Sequence, residues 1–421
     1  MVGAEETFLR RLFERAVEVA DPMKSLAAHL PEKPTGRVVV VGAGKASARM
    51  AEAVEAEWGP CEGLVITRYG YARPTHQIEI VEAAHPVPDE AGARATGRML
   101  ELLEGLGEED FVLSLISGGA SALLTAPAGE LSLEEKKEIN RMLLASGAPI
   151  GQMNVVRKHL SRVKGGQLAA AAHPARMLAL LLSDVPGDDP AEIGSGPTVG
   201  DRSTQADARS ILRNWRIEIP AAAKEVLAGP GGVLKPEDER LSRVTNIVFA
   251  APSQSLQAAR NLAEDTGCDV ELLGDALEGE AREVAKAHAG LAIQRQKERA
   301  GREKPLILLS GGELTVTRTG DGVGGPNAEY ALALALALNG AKGIHAIACD
   351  TDGVDGAAEV AGAVIGPDTL QRAEAAGASL ETALEENDAH RFFEALDSQV
   401  ITGPTLTNVN DFRAIWIGPE A

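Results

Sequence analysis

The chain has 421 residues, and 41 Lys and Arg stand against 61 Asp and Glu, which gives a formal net charge of −20. Hydrophobic residues make up 44% and charged residues 24%, a composition that excludes disordered and fibrous proteins. So large a negative surplus disfavours nucleic acid and acidic membrane surfaces as partners. The N-terminal stretch lacks the apolar core of a signal peptide, so we expect a cytoplasmic location.

The first half of the chain alternates between apolar strands and helices. Residues 6–20 carry their apolar side chains on one stripe, which predicts an amphipathic helix. Strands are then predicted at 37–44, 63–70, 78–85, 111–117 and 177–184, and helices at 45–59, 89–106 and 154–168. Because these strands are apolar throughout, they indicate a parallel sheet covered by helices on both faces.

Residues 229–242 are rich in Gly, Pro and charge and lack a periodic apolar pattern, so we place a domain boundary there. The predicted domains are 1–235 and 243–421. Strands and helices alternate again in the second, which indicates another α/β domain. Its stretch 328–340 alternates Ala and Leu, but we predict a helix because Val and Ile are absent and Asn339-Gly340 suits a helix end.

Two glycine turns in the first domain follow predicted strands. Gly42-Ala43-Gly44 resembles the start of a dinucleotide fingerprint, but Ser47 replaces the third glycine and no acid ends the next strand. Lys45 directly after this turn is either an anion-binding lysine at a helix start or a solvated one. The second turn, Ser117 to Ser121, is either a phosphate loop or a plain turn.

Charged residues follow these turns. The predicted helix 154–168 carries Arg157, Lys158, Arg162 and Lys164, as either an anion-binding or a solvated face. Asp184, Asp188 and Asp189 follow an apolar strand, a placement that suits a Mg²⁺ site or a base for a hydroxyl; a turn with a helix cap is the alternative. Together these features indicate phosphoryl transfer between two α/β domains.

Eight motifs, in order, resemble the class II glycerate 2-kinase family, whose C-terminal part is called the MOFRL domain. They are VVGAGKAS, SGGASAL, NVVRKHLSRVKGGQLA, SDVPGDDPAEIGSGPTVGD, LSGGELTVT, GGPNAE, DTDGVDG and TGPTLTNVNDFRA. The resemblance implies an α/β fold of two Rossmann-like domains with an interdomain cleft. It also implies ATP- and Mg²⁺-dependent phosphorylation of D-glycerate to 2-phosphoglycerate, and we expect a possible homodimer.

The resemblance also implies the roles of individual residues, which we assign as follows. The catalytic residues are Lys45, Asp188 and Asp189, and the nucleotide and phosphate are bound by Ser117, Gly118, Gly119, Ser121, Gly311, Gly312 and Asn327. The substrate is bound by Lys45, Arg157, Lys164, Asn408 and Asp411, and the metal by Asp184, Asp189 and Asp350. The chain departs from the family pattern at Pro326, where many relatives have Arg, and at Leu406, where a small residue is usual.

Two alternatives remain open. Members of the family have often been labelled hydroxypyruvate reductases, but such an oxidoreductase needs a nicotinamide pocket, and the incomplete glycine fingerprint argues against one. A non-catalytic nucleotide or metabolite sensor could keep the glycine turns but would not need the acids at 184–189.

Overall fold

The computed structural model describes residues 3–356 and 358–418. Its helices are α1 Ala4–Ala20, α2 Pro22–Ser25, α3 Ser47–Trp58, α4 Glu90–Leu103, α5 Ala120–Leu123, α6 Leu133–Ser146, α7 Ile150–His159, α8 Gln167–Ala172, α9 Gln205–Asn214, α10 Ala221–Ala228, α11 Pro252–Asp265, α12 Ala281–Glu298, α13 Pro326–Leu338, α14 Thr369–Ala376, α15 Leu380–Glu385 and α16 Ala389–Ala395. Its strands are β1 Val38–Ala43, β2 Glu62–Arg68, β3 Ile78–Ala83, β4 Phe111–Ile116, β5 Arg176–Leu182, β6 Val244–Ala250, β7 Asp269–Glu280, β8 Leu306–Thr315, β9 Ile344–Asp350, β10 Gly362–Ile365, β11 Gln399–Val400 and β12 Asp411–Ile417. Within these described stretches, no helix is long and apolar enough to cross a bilayer.

The chain forms two compact units, which we name after their sheets. The parallel-sheet unit comprises residues 22–249, and the mixed-sheet unit comprises the described residues of 1–21 and 250–421. This division differs from the predicted domains 1–235 and 243–421 in two places, because α1 belongs to the mixed-sheet unit and β6 belongs to the parallel-sheet unit. The apolar stripe of α1 packs on α11 and β12, with the rings of Phe13 and Phe412 5.9 Å apart. The other difference is β6, which completes the first sheet.

The first sheet has six strands in the order β3-β2-β1-β4-β5-β6. The pairs β2–β3, β1–β2, β1–β4 and β4–β5 are parallel, as predicted from strands that are apolar throughout. This order is that of a Rossmann fold, in which ligands bind where the strand order reverses, here between β1 and β4. The predicted glycine turns follow these two strands.

The second sheet has the order β11-β10-β9-β12-β8-β7. Strands β7 and β8 pair in parallel, whereas β12 is antiparallel to both β8 and β9, and β9 is antiparallel to β10. The predicted α/β class is therefore confirmed for both units, but the second sheet is mixed rather than Rossmann-like. Alternating strands and helices do not fix strand direction, because the last strand can insert between two earlier ones.

Three helix predictions have different outcomes. The helices predicted at 6–20 and 328–340 are confirmed by α1 and α13, and Asn339 ends α13 in the left-handed conformation at φ 47°. The helix predicted over 154–168 is wrong in its second half. It ends at His159, and residues 160–166 form an irregular segment in which Ser161 bridges to Pro127.

Candidate functional site

The turns after β1, β4 and β5 lie at one edge of the parallel sheet. Because these three strands are parallel neighbours, their carboxyl ends point the same way. The sheet therefore brings Lys45, the glycine turn at 117–119 and the acidic loop at 184–189 to a common edge. This is the edge at which open α/β sheets bind ligands.

The first two turns pack directly on each other. The backbone N–H of Lys45 donates to the carbonyl oxygen of Gly118 at 2.8 Å. Gly44 has φ 144°, and a Cβ at this position would lie only 2.1 Å from Oγ of Ser117. Gly44 is therefore required for contact between two turns, which is a different task from approaching a pyrophosphate.

Ser117 serves the same internal packing. Its side chain is fully buried, and its Oγ accepts a hydrogen bond from the backbone N–H of Ala46 at 3.0 Å and lies 3.2 Å from Oγ of Ser47. These contacts give the Ser117 hydroxyl a structural role, whereas we predicted that it binds nucleotide. Gly119, which is partly exposed at φ 82°, is the member of this turn that faces the neighbouring pocket.

Lys45 and His85 approach Gly119 closely. A Cβ built on Gly119 would lie 3.2 Å from Cγ of Lys45 and 3.1 Å from Nε2 of His85. Both side chains are partly buried. A larger residue at position 119 would therefore displace the side chains of His85 and Lys45.

A pocket of about 180 Å³ opens beside Gly119. Its walls come from the segment 85–88, the turn at 119–125 and helices α6 and α7, and its lining residues are His85, Pro86, Pro88, Gly119, Ser121, Ala122, Thr125, Lys136, Lys137, Ile139, Asn140, Leu143, Val156, Arg157, Leu160 and Lys164. Sites for drug-sized ligands usually measure ~300–1,000 Å³, so this pocket suits a smaller molecule.

Three cations line this pocket without a hydrogen bond to a carboxylate. Nζ of Lys136 is buried and has no hydrogen-bond partner, and burial lowers the Lys136 pKa to about 8. Nζ of Lys164 donates to Oγ of Ser121 at 3.0 Å and to the carbonyl oxygen of Gly194 at 2.9 Å. Nε of Arg157 donates to Oδ1 of Asn140 at 2.8 Å.

The cations also act on one another. Burial, and then the charges of Lys136 and Arg157, hold the pKa of Lys164 well below its ordinary value. The charge of Arg157 also adds to burial in lowering the pKa of Lys136. An anion in the pocket would relieve this repulsion, because an opposite charge stabilises the protonated form. The electrostatics therefore favour a small anionic ligand.

A polar network extends from the pocket towards the loop after β5. Oγ of Ser121 lies 3.1 Å from Oγ of Ser195, and Nδ2 of Asn154 donates to Glu192 at 2.6 Å. Lys158 differs from the three pocket cations, because its buried Nζ pairs with Glu192 at 2.9 Å and with Asp201 at 2.7 Å. We expected the four basic residues of 154–168 to be either solvated or anion-binding, and among them only Arg162 is exposed.

The acidic loop separates its three aspartates. Asp189 is exposed, and its Oδ1 accepts from the backbone N–H of Ala191 at 2.9 Å, which is the capping role that we considered as the alternative. Asp188 has φ 54°, and its Oδ1 is buried without a hydrogen-bond partner. Asp184 lies partly buried at the end of β5. Asp188 is thus the acid of this loop whose carboxylate has an unused acceptor.

In the mixed-sheet unit, Gly311 and Gly312, which we assigned to nucleotide and phosphate binding, do not form a turn. They lie inside β8, and a Cβ on Gly312 would be 2.2 Å from the backbone of Leu277 in β7. The carbonyl oxygen of Gly311 accepts from Nη1 of Arg413 at 2.9 Å. The same Ser-Gly-Gly sequence therefore makes a turn at 117 and a close strand contact at 310.

Asn327 and Asp411 are bonded to each other. Nδ2 of Asn327 donates to Oδ1 of Asp411 at 2.6 Å, and the other oxygen of Asp411 pairs with Arg413. Asp355 accepts from the backbone N–H groups of Asn327 at 2.9 Å and Ala328 at 2.8 Å, and so caps the start of α13. Asn327 and Asp411, which we assigned to phosphate and substrate binding, therefore have a structural role in these contacts.

The remaining predicted residues lie in the loops beside this cluster. Oδ1 of Asp350 accepts from the backbone N–H of Asp352, and Oδ1 of Asn408 accepts from that of Asn410. Leu406 has φ 62°, in the left-handed region that favours glycine. Across residues 3–356 and 358–418, no group of three or more His, Cys, Asp and Glu is placed to hold a metal ion.

Sequence reasoning missed Lys136, His85 and Asn140. Lys136 lies in LEEKKEIN, which reads as an exposed helical segment, and only the packing of α6 on α7 shows where its ammonium points. The sequence offered no signal that separates Lys136 from Lys137, which pairs with Glu134 at 2.8 Å. His85 and Asn140 carry no local motif either.

Two family descriptions match the chain. Residues 8–228 match a domain of unknown function, DUF4147, and residues 306–411 match the MOFRL family. A protein of Agrobacterium vitis named as a hydroxypyruvate reductase is 50% identical over 414 residues, which cover 97% of this chain and 94% of that protein. The D-glycerate 2-kinase of Thermotoga maritima is 38% identical over 403 residues, which cover 95% of both chains.

The fold has a solved counterpart. The crystal structure of glycerate kinase from Thermotoga maritima superposes with a TM-score of 0.89 at 37% sequence identity and covers 98% of this chain and 99% of that one. Similarity over nearly the full length of both chains includes both units. The match at this identity extends beyond the fold to the family.

Proposed function

Because the chain belongs to the class II glycerate 2-kinase family, we propose that it transfers the γ-phosphoryl group of ATP to the 2-hydroxyl of D-glycerate. The products are 2-phosphoglycerate and ADP. The main support is the full-length similarity to an enzyme named D-glycerate 2-kinase. The cationic pocket beside Lys45 adds physical support, because D-glycerate is a small anion and ATP carries its charge on phosphates. The homodimer and the cytoplasmic location stay predictions.

In the reaction, the 2-hydroxyl oxygen forms a bond to the γ-phosphorus while the bond from that phosphorus to the β–γ bridging oxygen breaks. ADP leaves with the electron pair, and the hydroxyl proton moves to a base. The transition state is loose, so catalysis depends on positioning and on positive charge near the transferred group. We assign that charge to the ammonium of Lys45, which follows the turn after β1.

We assign the proton-accepting or orienting role to Asp188 in place of Asp189. Its Oδ1 is buried and unpartnered, whereas Asp189 is exposed and caps a turn. A base must reach the substrate proton with a free acceptor atom. The peptide N–H groups of the Gly118-Gly119 turn are our proposed contacts for the nucleotide phosphates.

Mg²⁺ fits this edge of the sheet by donor chemistry. It takes one or two carboxylates together with phosphate oxygens, so a cluster of three protein ligands is unnecessary. The unpartnered oxygen of Asp188, with Asp184 in the same loop, supplies such donors. When bound, the ion would neutralise charge on the phosphates.

Hydroxypyruvate reduction is the second candidate, since the 50% identical relative from Agrobacterium vitis carries that name. The glycine turn is unsuited to a dinucleotide, because Gly44 contacts Ser117 and because buried Ser47 donates to the carbonyl oxygen of Leu115 at 3.0 Å. A Rossmann strand order does not by itself imply nicotinamide binding.

One experiment separates the two activities. The purified chain is incubated with D-glycerate, ATP and Mg²⁺, and 2- and 3-phosphoglycerate are resolved; a parallel sample holds hydroxypyruvate and NADH or NADPH. We expect 2-phosphoglycerate and ADP in equal amounts and no oxidation of the reduced nucleotide. Hydroxypyruvate reduction without formation of phosphoglycerate would overturn the kinase proposal.

A further inference from the structure

The pocket between α6 and α7 combines three features that a ligand would explain. Three of its cationic side chains make no hydrogen bond to a carboxylate, its small volume suits a molecule of a few atoms, and Nζ of Lys136 is buried without a hydrogen-bond partner. Burying an uncompensated ammonium costs free energy in the ligand-free protein. Residues kept at such a cost are commonly functional.

We propose that this pocket binds the carboxylate of D-glycerate, and that Lys136 selects an acid over a neutral polyol. The proposal rests on the proposed function and extends it to a substrate subsite. Lys136 and Arg157 approach the pocket from α6 and α7, and Lys164 approaches from the segment after α7.

The apolar and charged walls together define the ligand. Leu143, Val156 and Leu160 line the pocket beside the cations, so a carboxylate there would be held with little competing water. Whole ATP is too large for about 180 Å³ and would need a site that continues elsewhere. Gly119, which the pocket shares with the Lys45 turn, places the bound acid next to the lysine that we assign to catalysis.

The charged groups around Lys136 determine how the KM for D-glycerate depends on pH. Arg157 and Lys164 line the same pocket, His85 lines it from the loop before α4, and neighbouring Lys137 is paired with Glu134. The Lys136 ammonium loses its proton as the pH rises through about 8 in the ligand-free protein. An anion binds the protonated form, so the KM for D-glycerate should rise over this range.

Lys136→Met tests the proposal with Lys136→Arg as the conservative variant and Arg141→Met as the matched control. Arg141 lies on the same helix, and its exposed side chain pairs with Glu138, so its loss removes the same charge outside the pocket. We expect Lys136→Met to raise the KM for D-glycerate by ~10- to 100-fold with kcat changed less than about threefold. Arg141→Met should change neither quantity more than about twofold.

Two further readouts separate binding from a structural role. Without ligand, Lys136→Met should melt at the wild-type Tm or above it, because it removes a buried charge, but the rise in Tm produced by D-glycerate should disappear. Lys136→Arg should keep that rise, and its KM should increase less than that of the wild type between pH 7.5 and 9, since Arg stays protonated.

Asn140→Asp provides a second variant if Lys136→Met does not fold. Asn140 accepts from Arg157 at 2.8 Å, so an isosteric carboxylate there places a permanent counterion in the pocket. We expect a higher KM for D-glycerate and a smaller ligand-induced rise in Tm. Unchanged KM and an unchanged rise in Tm in either folded variant would overturn the proposal, even if the wild type forms 2-phosphoglycerate. Lys136-dependent binding of D-glycerate without phosphoglycerate would instead overturn the proposed function alone.

Discussion

Each unit holds a cluster of buried charge, and the two clusters differ in whether opposite charges are paired. In the mixed-sheet unit, Asp411 pairs with Arg413 and Asn327, and Asp355 accepts from two backbone N–H groups and lies 3.3 Å from Nε2 of His390. In the pocket of the parallel-sheet unit, Lys136, Arg157 and Lys164 lie together without a hydrogen bond to a carboxylate. Paired groups stabilise a fold, whereas like charges left together in a pocket indicate a ligand. Substitutions should therefore affect stability in the paired cluster of the mixed-sheet unit and activity in the pocket of the parallel-sheet unit.

The largest effect on stability is expected from Asp411→Asn. The change leaves the guanidinium of Arg413 buried without its charged partner, and breaking a buried pair costs about 3–5 kcal/mol. Denaturant unfolding followed by circular dichroism measures this loss. The matched control, Asp265→Asn, removes an exposed acid of the same unit and should stay within ~0.5 kcal/mol of the wild type. Equal stability of the two variants would contradict a structural role for Asp411.

Lys45→Ala should give the largest loss of activity with little loss of stability. Removing one electrostatic stabiliser typically lowers kcat by ~10²-fold, or about 2.7 kcal/mol of transition-state stabilisation. Steady-state kinetics with D-glycerate and ATP measure it, and Lys224→Ala, an exposed lysine of the same unit, serves as control. A normal kcat with only a raised KM would show that Lys45 binds the ground state and transition state equally.

Asp201→Asn tests whether a paired cation in the parallel-sheet unit behaves like the mixed-sheet cluster. It removes a charged hydrogen bond from buried Lys158, which keeps Glu192, and should cost about 1.5–3 kcal/mol at pH 7. Burial raises the Asp201 pKa, but the hydrogen bonds from Lys158 and Ser203 together lower it to about 2. Because the Asp201 pKa is lower in the folded state than in the unfolded state, ionised Asp201 stabilises the fold at every pH above the unfolded pKa. This stabilisation is lost as the pH falls towards 2. The difference in unfolding free energy between variant and wild type should therefore be constant from pH 7 to 5 and shrink below about pH 4. A pH-independent difference would contradict this origin.

The smallest effects separate the two neighbouring aspartates. Asp188→Asn should lower kcat by ~10-fold at saturating Mg²⁺ if it accepts the proton, or raise the Mg²⁺ concentration needed for activity if it holds the metal. Asp189→Asn should leave kcat within about twofold, because its carboxylate caps a turn. The reverse ranking would return the role to Asp189.

Sequence reasoning identified the turns at the edge of the candidate site because local patterns determine them. Lys45 and the turn at 117–119 follow apolar strands, and parallel pairing then brings them together as predicted. The Ser-Gly-Gly sequence alone did not predict its own conformation, because tertiary contacts determine it. At Gly312 the strand continues and lies against β7. A triplet of residues does not encode which strand will lie beside it.

Burial of charge was the least predictable feature. Lys158 is 34 residues from Glu192 and 43 from Asp201, so its pairing depends on contacts that helical periodicity cannot show. The helix over 154–168 was extended too far because Leu160 and Val163 fit a helical stripe, although both are buried in an irregular turn. The assignment of α1 to the mixed-sheet unit could not be predicted for the same reason, since the residues that α1 packs against lie beyond residue 250.

The most direct test of this contrast is a crystal structure of the full chain with D-glycerate and a non-hydrolysable ATP analogue. We predict D-glycerate in the pocket between α6 and α7, with its carboxylate within hydrogen-bond distance of Lys136 and Arg157. D-glycerate bound instead at Asn327 and Asp411, with the pocket filled by water alone, would contradict the account.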